Sequence, residues 1–230
     1  MAIKGEQISV IMPVYNESKT LPEIMKRVLA QRAVDRLIII NDHSSDKSQN
    51  IIDGAAGSDR RITAIANEAN RGKGYSVRKG LELVDGGIVI IQDADLEYSP
   101  EDYAALFDAV KDDTFVLGTR MRKTHKGYKF APSRMANLLL TGLFDIVYQR
   151  RISDINTCYK VFRFDMIKGV DLKQDGFLID IEILSGLLKK GYKVREVDIT
   201  YKIRSFKEGK KIGARDAIEQ AFYIISSRFR

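Results

Sequence analysis

Short apolar runs recur through the first half of the chain, each followed by a polar turn and a stretch of helical periodicity. Residues 7–12, 34–40, 61–66, 88–92 and 115–118 are dense in Ile and Val. Runs of that length and composition read as buried strands. The intervening segments predict helices. One starts near Leu21, with Thr20 as N-cap, Glu23 completing a capping box and Pro22 in the first turn. Others cover residues 46–56, the stretch from the Asn70–Gly74 turn to about Val84, and a segment opened by Ser99-Pro100-Glu101-Asp102. There cap, N1 proline and acidic first turn stand in order. Near-continuous hydrophobic strands alternating with helices predict an α/β fold, a mostly parallel sheet covered on both faces.

Residues 121–230 are less regular. They predict a helix over 133–148, a strand-like stretch over 158–164, a helix over 179–190 and a strand over 192–203. A Lys-rich loop over 204–213 precedes a final helix to Arg230. No Pro/Gly/Ser-rich linker divides the chain, so residues 1–230 read as one domain of two halves, 1–120 and 121–230. Charge separates those halves. Residues 1–119 carry 14 Lys+Arg against 19 Asp+Glu, and residues 120–230 carry 24 against 12. The net +7 is thus an acidic half joined to a basic one, which suits anionic partners such as phosphates or an anionic membrane face. Nucleic acid is not expected, because no binding motif or aromatic platform accompanies the charge. The one cysteine, Cys158, excludes an intramolecular disulfide. No leader-like or membrane-spanning stretch is present, and the reading places the protein in the cytoplasm, peripheral to the membrane's cytoplasmic face.

In parallel sheets ligands bind beyond the carboxyl ends of the strands. The most telling residues follow the fourth predicted strand: Asp93-Ala94-Asp95. On extended backbone, side chains at i and i+2 share a face, so these carboxylates are expected to converge, with Glu97 at the next same-side position. Mg²⁺ takes one or two protein carboxylates and completes its shell with water and phosphate oxygens. The alternative is a solvated acidic turn. Other candidates emerge at the same edge: Pro13-Val14-Tyr15-Asn16-Glu17, Asn41-Asp42-His43-Ser44-Ser45-Asp46, and Arg71-Gly72-Lys73-Gly74. Lys73 opens a helix within a Gly-flanked loop, where backbone N–H groups and the helix dipole favour anions.

These four motifs, with Asp154-Ile155-Asn156-Thr157-Cys158-Tyr159-Lys160, residues 177–182, and Arg204 with Lys210-Lys211, resemble the inverting family-2 glycosyltransferases over essentially the whole chain. The nearest branch resembles the polyprenyl-phosphate sugar transferases typified by dolichyl-phosphate mannose synthase. The resemblance implies the GT-A (Rossmann-like) fold, with a smaller acceptor-side region and a C-terminal amphipathic helix. It implies that Pro13, Tyr15, Glu17, Asp42, Lys73, Asp93, Ala94 and Asp95 hold a UDP- or GDP-sugar. Asp95, Asp93 and Glu97 would hold Mg²⁺ or Mn²⁺, with Asp95 the more direct ligand; Glu97 stands where the best-known synthases have Gln. Lys129, Ser133, Arg134, Asn137, Arg204 and Lys211 would hold an acceptor phosphate, Lys129 replacing an Arg. Asp154, Asp93 and Arg120 would carry the chemistry, Arg120 through a phosphate contact. Glu182 matches a buried supporting acid, and Lys160, Arg204, Lys210 and Lys211 would shape a mobile basic loop. His43 and His125 read as surface loop residues and Cys158 as a small buried one.

The implied reaction moves a sugar to a polyprenyl (dolichyl or undecaprenyl) phosphate, with a glycan or lipid hydroxyl as the alternative acceptor. For a hydroxyl, Asp154 would be the base. A nucleotidyltransferase normally needs an N-terminal Gly-rich signature, which residues 13–17 do not supply. The intact Asp93, Asp95, Asp154 and Arg120 argue against a silent binding subunit. The last helix presents Ala217, Ile218, Ala221, Phe222 and Ile225 as one apolar face flanked by basic residues. That face suits a membrane surface, packing onto the domain, or a dimer or membrane-protein contact.

Overall fold

A computed structural model of the protein describes residues 5–121, 132–202 and 214–229. Its centre is one seven-stranded sheet, ordered β3-β2-β1-β4-β6-β5-β7. The strands are β1 (Ile8–Val14), β2 (Arg36–Asn41), β3 (Ile62–Ala66), β4 (Ile88–Ile91), β5 (Thr114–Thr119), β6 (Lys160–Arg163) and β7 (Lys193–Asp198). All run the same way except β6, which is antiparallel to both neighbours. The carboxyl ends of the other six therefore share one edge with the start of β6. The helices are α1 (Leu21–Leu29), α2 (Ser48–Ala56), α3 (Lys73–Glu82), α4 (Tyr103–Ala109), α5 (Pro132–Tyr148), α6 (Phe164–Ile167), α7 (Ile179–Lys189) and α8 (Ala214–Arg228). Ile38, Ile39, Ile40, Val89, Ile90 and Val116 are fully buried, so the central strands carry no alternating polar face, whereas the edge strand β7 exposes Lys193 and Arg195.

Four local expectations change. The first strand does not turn at Pro13 but continues to Val14, with Pro13 opposite Ile40. This is tolerated because β4 pairs with β1 only as far as Ile11, so the proline's missing N–H falls where one neighbour has ended. Thr20 makes no side-chain cap; its hydroxyl donates to the Glu17 carbonyl and carboxylate instead. Ser99 is likewise not a side-chain cap, since Pro100–Asp102 forms a single 3-10 turn and the Ser99 hydroxyl accepts from Arg27. The last strand is shorter than 192–203. Its partner β5 stops at Thr119, and Thr200 N–H then bonds the Asp102 carboxylate, after which Tyr201 bridges to Tyr98.

α8 lies against α5 and α7. Gln220, Ile224 and Ser227 face inward, and the Tyr148 hydroxyl is 2.8 Å from that of Ser227. The face expected to be continuous is split: Ala217 and Ala221 are half-buried against the core, whereas Ile218, Phe222 and Ile225 point outward. No helix among the described residues is long and apolar enough to cross a membrane.

Candidate active site

The loops leaving β1 and β2 are stitched together by side chains. Asn16 adopts φ 55°; its N–H bonds the Ser44 hydroxyl and its side-chain oxygen accepts from Ser45 N–H. Asp46 accepts from Ser18 and Ser48 N–H. Burial raises its pKa, but those hydrogen bonds prevail and hold it at about 2. Glu17 is buried below this rim, while Tyr15 stands 37% exposed at its mouth. Asp42, also buried, spends its carboxylate on Asn67 Nδ2 (2.8 Å) and on the N–H groups of Arg71 (2.9 Å) and Gly72 (2.7 Å). It therefore ties the end of β2 to the loop that opens α3. His43 sits exposed at φ 59°, as expected of a loop residue.

The Gly-flanked loop behaves differently from the sequence reading. The N–H groups of Gly74 and Tyr75 bond the Asp175 carbonyl (2.7 and 3.2 Å), so this helix start is already closed by protein. A Cβ at Gly72 would lie 2.4 Å from the Asp175 carbonyl oxygen, and one at Gly74 2.1 Å from that of Gln174. The glycines permit this close backbone approach, and Gly72 also supplies φ 96°. Lys73 is neither a solvated charge nor the lining of an anion nest. Its ammonium is buried 3.0 Å from Asp93 Oδ1 and 3.0 Å from Asp180 Oδ2. Fully buried Lys160 reaches the other Asp180 oxygen at 3.1 Å and the Thr157 carbonyl. Lys160 thus belongs to the floor of the site, not to a basic loop.

Charge explains why this chain of two acids and two lysines is stable. Burial alone would neutralise Lys73, but Asp180 and Asp93 outweigh it and push its pKa well up. Burial would raise Asp180, and the two lysines hold it down instead. Lys160 has only one carboxylate, so burial wins and its pKa falls. Asp180 was not singled out from the sequence. It lies two residues before Glu182 at the start of α7, and only the fold brings it under Lys73.

β4 ends at Ile91, and the acidic residues sit in a turn in which Leu96 has φ 60°. The i, i+2 alternation therefore does not extend to Glu97. Gln92 fixes the exit: it accepts from the Tyr103 and Tyr159 hydroxyls and donates to the Asp93 carbonyl. Asp95 Oδ1 accepts Glu97 N–H at 3.1 Å, while the Glu97 carboxylate accepts the Tyr201 hydroxyl at 2.8 Å. Among the described residues no three His, Cys, Asp or Glu side chains are placed to hold a metal by themselves. The oxygen donors of Asp93 and Asp95 nonetheless suit a hard divalent ion that draws its other ligands from substrate and water.

Across the site, Arg120 grips Asp154. Its Nε and Nη2 lie 2.7 Å from the two carboxylate oxygens, Arg120 N–H adds a third bond, and Asn137 Nδ2 a fourth at 2.8 Å. Asp154 is fully buried. A carboxylate offers about four acceptor positions, so this one is saturated, which suits a residue that aims Arg120 rather than one that takes a proton. The guanidinium also lies 5.0 Å from the Tyr201 ring centroid and 5.9 Å from that of Tyr98. Asn137 is buried and committed to Asp154, while Arg134 is half-exposed on the first turn of α5. Glu182 accepts from Lys173 and Gln174 N–H and from the Tyr223 hydroxyl, a supporting role. Cys158 is buried with its thiol pKa driven up by burial, which leaves it unreactive. Lys129, Arg204, Lys210, Lys211 and His125 lie outside the described residues, as does the Ser133 side chain.

Residues 9–170 match Glycosyl transferase family 2. The chain belongs to that family. Among curated relatives of this family-2 chain, the undecaprenyl-phosphate 4-deoxy-4-formamido-L-arabinose transferase of Proteus mirabilis is 32% identical over 144 residues, covering 60% of this chain and 44% of the relative. The Shewanella sediminis protein of the same description is 28% identical over 229 residues, covering 96% of this chain and 66% of the relative. The chain thus spans about half to two thirds of the length of such relatives. In fold it resembles glucosyl-3-phosphoglycerate synthase from Mycobacterium tuberculosis, solved with Mn²⁺, uridine diphosphate and glucosyl-3-phosphoglycerate. The TM-score is 0.72 at 16% identity, over 97% of this chain and 80% of that one. This family-2 member therefore has the α/β architecture and GT-A fold that its motifs imply.

Proposed function

We propose that this protein transfers a sugar from a UDP- or GDP-sugar to a polyprenyl phosphate. One observation carries the reading. Lys73 from the start of α3, Asp93 from the exit of β4, Lys160 from the start of β6 and Asp180 from the start of α7 meet in one ion chain, buried at Lys160 and Asp180 and opening outward at Asp93, at the sheet edge where α/β ligands bind. Buried charge of this kind is costly unless paired, and it concentrates where a site must hold phosphate and metal. The curated relatives named for undecaprenyl phosphate support the acceptor, and the Mn²⁺–nucleotide complex of the structural neighbour supports the donor and the ion.

Glu17, Asp42 and Tyr15 would receive the nucleotide, and Asp95 with Asp93 would hold Mg²⁺ or Mn²⁺. When bound, the ion supplies positive charge to the departing diphosphate. Lys73 adds to that charge from below and Arg120 offers its guanidinium from the acceptor side, preorganised by Asp154 and stacked near Tyr201. A phosphomonoester, with a second pKa near 6, is already largely ionised at neutral pH. It attacks without a base, which fits an Asp154 whose acceptor positions are filled. Arg134 on α5, with Lys129, Ser133, Arg204 and Lys211, would face the acceptor phosphate.

A lipid acceptor also explains the outer face of α5 and α8. Met135, Leu139 and Ile146 of α5 are 61%, 69% and 78% exposed; Ile218 and Phe222 of α8 are each 72% exposed, and Phe229 beyond its end is 84%. They lie on two mutually packed helices with exposed Arg150, Arg151 and Arg228 nearby. That combination suits the interface of an anionic membrane.

The test is incubation with Mg²⁺ or Mn²⁺, a panel of UDP- and GDP-sugars and a short polyprenyl phosphate, with products read by mass spectrometry and Asp95→Ala as control. A metal-dependent glycosyl phospholipid from one donor is the expected result. Donor hydrolysis without lipid product would point to a hydroxyl acceptor, and silence on every donor would overturn the reading.

A further inference from the structure

Behind Asp154 a line of amides leads away from the site to the C-terminal helix. Asn137 Nδ2 donates to Asp154 Oδ1 at 2.8 Å. Asn156 Nδ2 donates to Asn137 Oδ1 at 3.0 Å and, with its second proton, to Gln220 Oε1 at 2.9 Å. Gln220 on α8 is 3% exposed, Asn137 4% and Asp154 0%. From this geometry we infer that Gln220 is a positioning residue for Arg120, acting through Asn156, Asn137 and Asp154. The inference rests on the proposed role of Arg120 as a phosphate contact.

The chain has only one consistent sense. An ionised carboxylate accepts and cannot donate, so Asn137 must turn its nitrogen toward Asp154 and its oxygen toward Asn156. Asn156 must then present its nitrogen, and both of its protons are used only if Gln220 presents oxygen. Remove that oxygen and Asn156, itself half-buried, is held only by its bond to Asn137. Its amide plane is then no longer fixed from the α8 side, Asn137 loses a rigid partner, and the Asp154 carboxylate that holds both arms of Arg120 is less firmly oriented. α8 is anchored separately, through Ser227 to Tyr148 and by Ile224 in the core, so losing the amide contact need not release the helix.

The test uses the full chain with Gln220→Met, which keeps the volume and removes the acceptor. Gln220→Glu keeps the acceptor. Asn156→Asp is nearly isosteric and reverses the sense of the chain while Gln220 stays in place. Two readouts are taken. The first is the exchange rate of the Arg120 Nε–H proton by NMR on the protein alone, where its 2.7 Å bond to Asp154 should protect it. The second is kcat and donor KM in the transfer reaction. Gln220→Met and Asn156→Asp are expected to speed Nε–H exchange and lower kcat by roughly 10-fold, as loss of an outer support typically does. Donor KM should stay within about 2-fold and the thermal midpoint within a few degrees; Gln220→Glu should restore both readouts. Unchanged Nε–H exchange in folded Gln220→Met, or losses that follow the thermal midpoint equally in Met and Glu variants, would overturn the inference. Should the wild type transfer no sugar, the proposed function fails, and the NMR comparison still decides whether Gln220 positions Arg120.

Discussion

Replacing Asp154 by Leu strands a cation held by both of the aspartate's carboxylate oxygens. Arg120 loses two 2.7 Å bonds, and its backbone N–H and Asn137 Nδ2 lose a partner as well. The Arg120 side chain is only 10% exposed and Asp154 not at all, so water cannot readily replace what is removed. Breaking a buried pair from one side costs about 3–5 kcal/mol. A domain of this size loses roughly 2–4 °C of thermal midpoint per kcal/mol, so a fall on the order of 10 °C is expected. Arg120→Met should cost about 3 kcal/mol for the mirror reason. The double variant Asp154→Leu/Arg120→Met leaves neither charge of this pair stranded and should lie within roughly 1–2 kcal/mol of wild type. Urea unfolding with unchanged m-values measures all four proteins. The cycle should then yield a coupling of about 4–7 kcal/mol, above the roughly 0.5–3 kcal/mol usual for residues in contact, because both singles strand a buried charge. A double variant that costs the sum of the singles, with coupling below about 0.5 kcal/mol, would refute the view that these groups hold each other in place.

Asp154→Asn should lower transfer to phosphate and hydroxyl acceptors by the same factor, since it disturbs Arg120; a loss confined to hydroxyl acceptors in parallel rate assays would make Asp154 a base. Gly74→Ala forces a methyl to 2.1 Å from a backbone carbonyl, and should cost about 1–3 kcal/mol, read as a lower urea midpoint. Asp46 has its pKa lowered from 3.8 to about 2 in the folded protein, so it stabilises the fold above pH 4 and that contribution is lost as pH falls toward 2. The stability gap between wild type and Asp46→Ala should therefore shrink over that window, and a constant gap in acid titrations would exclude the effect. Ile218→Glu with Phe222→Glu should abolish sedimentation with anionic vesicles at low salt; wild type should bind these more than neutral ones.

The Ile/Val runs, the order of strands and helices and the loops at one sheet edge were legible in the chain, because strands buried on both faces must be hydrophobic throughout. The ordered motif set that contains Asp42, Asp93 and Asp95 was legible as the mark of the family. The partners of those residues were not. Lys73 looked like an anion-binding loop lysine, because sequence places it between glycines at a helix start. The Asp175 carbonyl that closes that helix start and the Asp180 that draws the lysine inward come from about 100 positions later in the chain. Lys160 was assigned to a basic loop by the family resemblance alone, and Glu97 looked collinear with Asp95 because a positive φ at Leu96 leaves no mark in a residue pattern.

What the sequence determined by itself was therefore everything governed by local periodicity and by the polar residues that follow each strand. It determined the α/β class and the family. Tertiary structure alone decided how the charges are shared. Pairing Lys73 with Asp93 and Asp180, saturating Asp154 with Arg120 and Asn137, and linking that pair to Gln220 all depend on contacts across distant segments. Electrostatic pairing acts over a few ångströms of space and is indifferent to separation along the chain, so no spacing within the sequence encodes it.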